Sequence, residues 1–85
     1  MSKKLIALTI MSPLNSTILK AEWLDVKTDS GNFVVQPGHA PIITSLASNK
    51  ELIIGLPDGT QKIIKVADGV LEVNRDTATI LLTHE

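Results

Sequence analysis

Eighty-five residues supply one hydrophobic core rather than two, because the fraction of surface a chain buries falls as it shortens. Eight Lys and Arg face nine Asp and Glu for a net charge of −1, interspersed along the chain, which removes the basic footprint of a nucleic-acid binder. There is no cysteine, and so no disulfide frame, thiolate metal site or thiol nucleophile, in keeping with a reducing compartment.

The aromatic residues are Trp23 and Phe33 alone, so the interior must be built from branched aliphatics, a composition that favours strands. The longest apolar runs are a few residues, far short of the ~20 that cross a bilayer. Met1-Ser2-Lys3-Lys4 ahead of Leu5 to Ile10 has the outline of a signal peptide. Thr9 interrupts its apolar part, however, and no small-residue cleavage site follows, so the segment is expected to be a first strand.

No window sustains apolar residues at i, i+3, i+4 and i+7, whereas period-two alternation recurs throughout. Leu5 to Met11 places Ile6, Leu8 and Ile10 on one face, and Ser12-Pro13-Leu14-Asn15 turns the chain. Thr17 to Lys20 follows, then Ala21 to Thr28, with Glu22, Leu24 and Val26 opposite Trp23, Asp25 and Lys27. Asp29-Ser30-Gly31-Asn32 is turn chemistry. Phe33 to Gln36 and Pro41 to Ala47 flank Pro37-Gly38-His39-Ala40, where each proline fixes its own φ and glycine is free to take a positive one. This corner is expected to be rigid and to hold His39 at its tip, with the imidazole bonding backbone groups across the reversal. Ser48-Asn49-Lys50 leads into Glu51 to Leu56, and Pro57-Asp58-Gly59 is a strong turn before Thr60 to Ala67. Asp68-Gly69 punctuates, Val70 to Asn74 resumes, Arg75-Asp76 turns, and Thr77 to Thr83 places Ala78, Ile80 and Leu82 on one face. About eight or nine short strands with turns between them predict an all-β fold, an antiparallel sandwich or barrel.

Some strands are apolar on both faces: Ile53 stands between Leu52 and Ile54, and Ile63 precedes Ile64 and Val66. Such residues either fill a barrel-like interior or form an outer aliphatic surface that meets a partner. Catalysis finds no support. The two histidines are His39, near mid-chain, and His84, next to the last residue, which is poor material for a metal cluster. Ser45, His39 and Asp29 make a triad only on paper, because no strand-turn-helix elbow carries the serine. Gly55 and Gly59 lack the Gly-Lys-Ser/Thr or Gly-x-Gly-x-x-Gly setting of a phosphate loop. No catalytic, cofactor-binding or metal-ligating residue is expected.

The run Gly31-Asn32-Phe33-Val34-Val35-Gln36-Pro37-Gly38-His39-Ala40-Pro41, followed by Ile42-Ile43-Thr44, resembles the marker loop of the epsilon subunit of F-type ATP synthases. Glu22-Trp23-Leu24-Asp25-Val26 and Asp68-Gly69-Val70-Leu71-Glu72-Val73 fall in that family's order, so the likeness covers essentially the whole chain. It implies a flattened sandwich of about ten strands. It also implies a non-catalytic central-stalk rotor subunit without a cofactor, bound to the gamma subunit and to the c-ring, so that ion-driven rotation reaches the catalytic head as torque. By position, Gly31, Asn32, Phe33, Pro37, Gly38, His39, Ala40 and Pro41 correspond to the ring-facing loops. The implied place is the cytoplasmic face of the bacterial inner membrane, peripheral and not inserted, ahead of a plastid thylakoid. Family members often have an acidic residue where Asn32 stands, a glycine at Val34 and Gly-Gly at Asp68-Gly69. Most also continue into a C-terminal helical hairpin, which is expected to be absent from this single-domain chain. The competing readings are a biotinyl or lipoyl carrier domain, with Lys50 as its modified residue, and a small-ligand-binding β-barrel.

Overall fold

The structure, a computed structural model, describes residues 4–83; Met1 to Lys3, His84 and Glu85 lie outside the described residues. Period-two alternation is realised as nine strands: β1 Ile6–Met11, β2 Ser16–Ala21, β3 Trp23–Thr28, β4 Gly31–Val35, β5 His39–Leu46, β6 Lys50–Gly55, β7 Gln61–Val66, β8 Gly69–Arg75 and β9 Thr77–Leu82. They form a five-stranded sheet, β2-β1-β9-β8-β5, and a four-stranded sheet, β4-β3-β6-β7. Neighbours pair antiparallel except β1 and β9, which run parallel.

The two sheets stack because each strand turns one aliphatic row inward. From the larger sheet Ile6, Leu8, Leu71, Val73 and Ile80 meet Leu24, Val26, Val35, Leu52 and Ile54 of the smaller one, each no more than 2% exposed. Complete burial of such a side chain is worth about 1.5–3 kcal/mol against leaving it in water. Every fully enclosed side chain among the described residues is apolar, so nothing in the core needs an internal hydrogen-bond partner. The molecule measures 38 × 27 × 20 Å, and its thin dimension is that of two sheets about 10 Å apart with side chains outside both.

Two departures from the expected boundaries fall at two of the four changes of sheet. The second and third strands are divided at Glu22 rather than between Lys20 and Ala21: Ala21 still pairs with Ile6 in the larger sheet, while Trp23 pairs with Gly55 in the smaller. Glu22 is the single residue at the switch, and its N–H donates to the Gly55 carbonyl at 2.7 Å. The second of these two crossings, from β4 to β5, is the proline corner. β5 begins at His39 rather than at Pro41. Proline is accommodated inside it because β5 is an edge strand and its register against β8 shifts between His39 and Ile42, the bulged edge setting in which a missing N–H is tolerated.

Candidate functional site

The corner is a four-residue turn from Gln36 to His39. The His39 N–H donates to the Gln36 carbonyl at 3.1 Å, Pro37 occupies the first corner position, and Gly38 has φ +87°; proline and then a positive-φ glycine is the chemistry of a type II turn. Gly38 N–H in turn donates to the Arg75 carbonyl at 3.2 Å. Arg75 itself has φ 59°, an uncommon conformation for a long side chain, and it lies at the β8–β9 hairpin, where Asp76 offers its carbonyl to Ala7 N–H at 2.8 Å. Three segments distant in sequence are thereby tied together by main-chain bonds.

His39 differs from the expected arrangement. It is the first residue of β5 and opposes Arg75, and its Nδ1 lies 2.7 Å from the carbonyl of the adjacent Ala40. A carbonyl only accepts, so Nδ1 carries the proton in this contact. The imidazole does not bridge the reversal; the backbone does, because proline and glycine already set the turn. The ring instead lies near Phe33, with centroids 6.2 Å apart and planes tilted by 30°.

The eight residues singled out in the sequence fall into two groups. Gly31, with φ +138°, and Asn32 open β4 beside the Asp29-Ser30 turn, where Thr28 Oγ1 donates to the Gly31 carbonyl at 2.7 Å. Pro37, Gly38, His39, Ala40 and Pro41 follow the other end of that strand. At about 3.3 Å per residue the ends of β4 are ~13 Å apart. Phe33, midway, joins the groups through its contact with His39.

Outside both sheets lie aliphatic rows that the sequence left undecided between interior and surface. On the larger sheet the register aligns Met11, Leu81 and Val70 across β1, β9 and β8, and all three are exposed. The next row carries Thr9, Thr79 and Glu72 between Ile18 and Ile43, which are 76% and 70% exposed. Beside Ile43, a shallow groove of about 440 Å³ is lined by Pro41, Ile42, Val73, Glu72 and Asn74. The smaller sheet presents Val34, Asp25, Ile53 and Ile63 in one row, with Lys27 Nζ 3.9 Å from the Asp25 carboxylate. Trp23 lies over Gly55, where an added Cβ would run into the indole.

Chemistry of the bond-making kind has little to work with. Among the described residues no three His, Cys, Asp or Glu are grouped to hold a metal. His39 and Ser45 lie six residues apart on one strand, roughly 20 Å along its length, so the paper triad is not assembled. Lys50 pairs with Val66 at the start of β6 and is not at a protruding hairpin tip. Asp58 is the carboxyl held below its ordinary range: the Thr60 hydroxyl donates to Oδ1 at 2.6 Å, and the Thr60 N–H adds a second bond at 2.9 Å. That is a local turn device.

The family model of the ATP synthase delta/epsilon chain, beta-sandwich domain, matches residues 6–84. The chain belongs to this family. Curated epsilon-family relatives include the ATP synthase epsilon chain of Clostridium kluyveri, 35% identical over 80 residues, which are 92% of this chain and 59% of the relative. ATP synthase epsilon chain 2 of Burkholderia orbicola is 34% identical over 64 residues, 75% of this chain and 42% of the relative. The chain thus spans about two-fifths to three-fifths of the length of these curated relatives. The same delta/epsilon sandwich fold occurs in a chain of the Euglena gracilis mitochondrial ATP synthase, determined as OSCP/F1/c-ring, with a TM-score of 0.88 at 19% identity over 95% of this chain and 52% of that one. A chain of the Tetrahymena thermophila mitochondrial ATP synthase central stalk/c-ring gives 0.75 at 14% identity, covering 98% and 66%.

Proposed function

We propose that this chain is the sandwich part of a central-stalk rotor subunit, a non-catalytic component of an F-type ATP synthase that holds the gamma subunit to the c-ring. The observation that carries the reading is the family match over residues 6–84. Its support is the origin of the structural neighbours in ATP synthase assemblies described as OSCP/F1/c-ring and central stalk/c-ring. The physical argument is that a stiff body passes torque with little loss, and a close-packed, wholly apolar core between two hydrogen-bonded sheets is stiff. The exposed aliphatic rows are the surface through which it grips.

On this reading Gly31, Asn32, Phe33, Pro37, Gly38, His39, Ala40 and Pro41 face the c-ring. A contact that engages both groups runs along β4 instead of resting on one end of the sandwich. The rows through Leu81 and Ile43 face gamma. The working place is the cytoplasmic face of a bacterial inner membrane, reached through the complex, a reading supported by the bacterial origin of the epsilon-chain relatives.

Co-expression with gamma followed by affinity purification tests the reading, and the expected result is stoichiometric recovery of both. Added to an epsilon-depleted enzyme, residues 1–85 are expected to restore ion pumping per ATP hydrolysed. Failure to bind gamma or the ring at any concentration overturns the proposal.

A further inference from the structure

Five of the described residues hold a positive φ: Gly31, Gly38, Gly59, Asn49 at 61° and Arg75 at 59°. Glycine and asparagine take this conformation at little cost, whereas a long side chain there crowds its own backbone. Arg75 alone breaks the rule, and no interaction of its side chain offsets the strain. Among the described residues its guanidinium enters no hydrogen bond and no ion pair, not even with the exposed Asp76 beside it. The turn uses only the main chain of Arg75, whose carbonyl accepts from Gly38 N–H at 3.2 Å. Glycine or asparagine would present that carbonyl equally well.

Exposure to water does not require a strained backbone. Lys62 and Lys65 are exposed too, and they stand in the ordinary extended chain of β7. What sets Arg75 apart is its place: it opposes His39 in the register of β5 and β8, and its main chain is bonded to the corner through Gly38. A local rule broken at one position, with no return inside the fold, marks a side chain kept for something outside it.

We infer that Arg75 is a ring-contact residue, whose guanidinium pairs with a carboxylate on a loop of a c subunit. The inference rests on the ring-facing reading of the corner and supplies what that surface lacks. Gly31, Asn32, Phe33, Pro37, Gly38, His39, Ala40 and Pro41 include no Asp, Glu, Lys or Arg, so shape alone would hold them to the ring. Arg75 adds a directional, charge-assisted bond at their border, because its planar fork matches both oxygens of a carboxylate. An anionic lipid surface selects clusters of several basic residues. A lone arginine in a chain of net charge −1 is not such a cluster, which leaves a protein carboxylate as the partner.

The complex of the 85-residue chain with gamma, titrated with cognate c-ring in detergent, tests this. Arg75→Asn and Arg75→Gly relieve the strain and remove the charge. Both are expected to raise the melting temperature of the chain, to leave gamma binding unchanged and to weaken ring binding about tenfold, the loss of one charge-assisted contact. Arg75→Lys keeps the charge without the fork and is expected to fall between them and the wild type. Opposite signs for stability and ring affinity are the signature, since a merely structural residue would not gain in one while losing in the other. Unchanged ring affinity in the asparagine and glycine variants overturns the inference, as does a lower melting temperature in both. Binding that depends on Arg75 with ring-free vesicles of anionic phospholipid, and not with the ring, overturns it as well. A wild-type complex that ignores the ring overturns the ring-facing reading itself, and is told apart because no affinity then exists for a variant to lose.

Discussion

Gly38 and Asp58 show how much a turn can rest on one side chain, or on the lack of one. Gly38 has φ +87° with open space where a Cβ would stand, so replacing it costs backbone strain and not a clash. Gly38→Ala is expected to lower stability by about 1–2 kcal/mol, the usual penalty for an L-residue held at positive φ, read as a shift in the urea midpoint. Asp58 titrates against the protein. Its folded-state pKa is lowered, first by the Thr60 hydroxyl and then by the Thr60 N–H, so the unfolded chain takes up the proton first. The stabilisation is therefore complete above the unfolded carboxyl's pKa and is lost as pH falls through the lower folded value. Asp58→Asn keeps an acceptor oxygen but does not ionise. Below about pH 4 the melting temperature of the wild type is expected to fall more steeply than that of the variant; parallel profiles would refute the assignment.

Among the elements, the joint between β2 and β3 is the sharpest test of how the sandwich is held. Glu22 changes sheet in one residue with its N–H on the Gly55 carbonyl. Glu22→Pro removes that donor and leaves the carbonyl short of a partner, at an expected cost of about 1–3 kcal/mol, whereas Glu22→Ala keeps the N–H and is expected to cost less. Urea denaturation of both variants separates backbone from side chain. The residues also explain which elements were legible beforehand. Ile6, Leu8 and Ile10, or Ala78, Ile80 and Leu82, alternate because one face meets the core, and that signal sits in the sequence itself. The break at Glu22 carries no glycine or proline, so periodicity runs straight through it. Pro41 reads as a boundary because a proline in mid-strand is normally excluded; only the edge position and the bulge, both tertiary facts, admit it. Parallel pairing of β1 with β9 has no local signature at all.

For the whole molecule, the outer rows are where the functional proposal meets measurement. Leu81 stands between Met11 and Val70 on the larger sheet and is 47% exposed, so Leu81→Asp leaves the core untouched and places a charge in an aliphatic surface. Gamma binding is expected to weaken at least tenfold, since a desolvated, unpaired carboxylate at an interface costs well over the ~1.4 kcal/mol that a factor of ten represents; calorimetric titration, with a thermal melt as the folding control, reads it. Unchanged affinity would move the gamma contact to the Ile53 and Ile63 face. The marker loop was conspicuous in the sequence because prolines and glycines fix conformation locally. The approach of Phe33 to His39 was not, because it depends on how the chain folds back after the corner.

The place of β9 between β1 and β8 bears on how the protein is made. The strand that completes the larger sheet follows the other eight in the chain, so a ribosome must release residues up to Leu82 before the earlier strands can close around it. Until then the emerging chain presents the inward row of β1 without its neighbour. A stop or stall before Leu82 thus yields not a slightly trimmed sandwich but a chain with its principal sheet split, a natural substrate for chaperones and proteases.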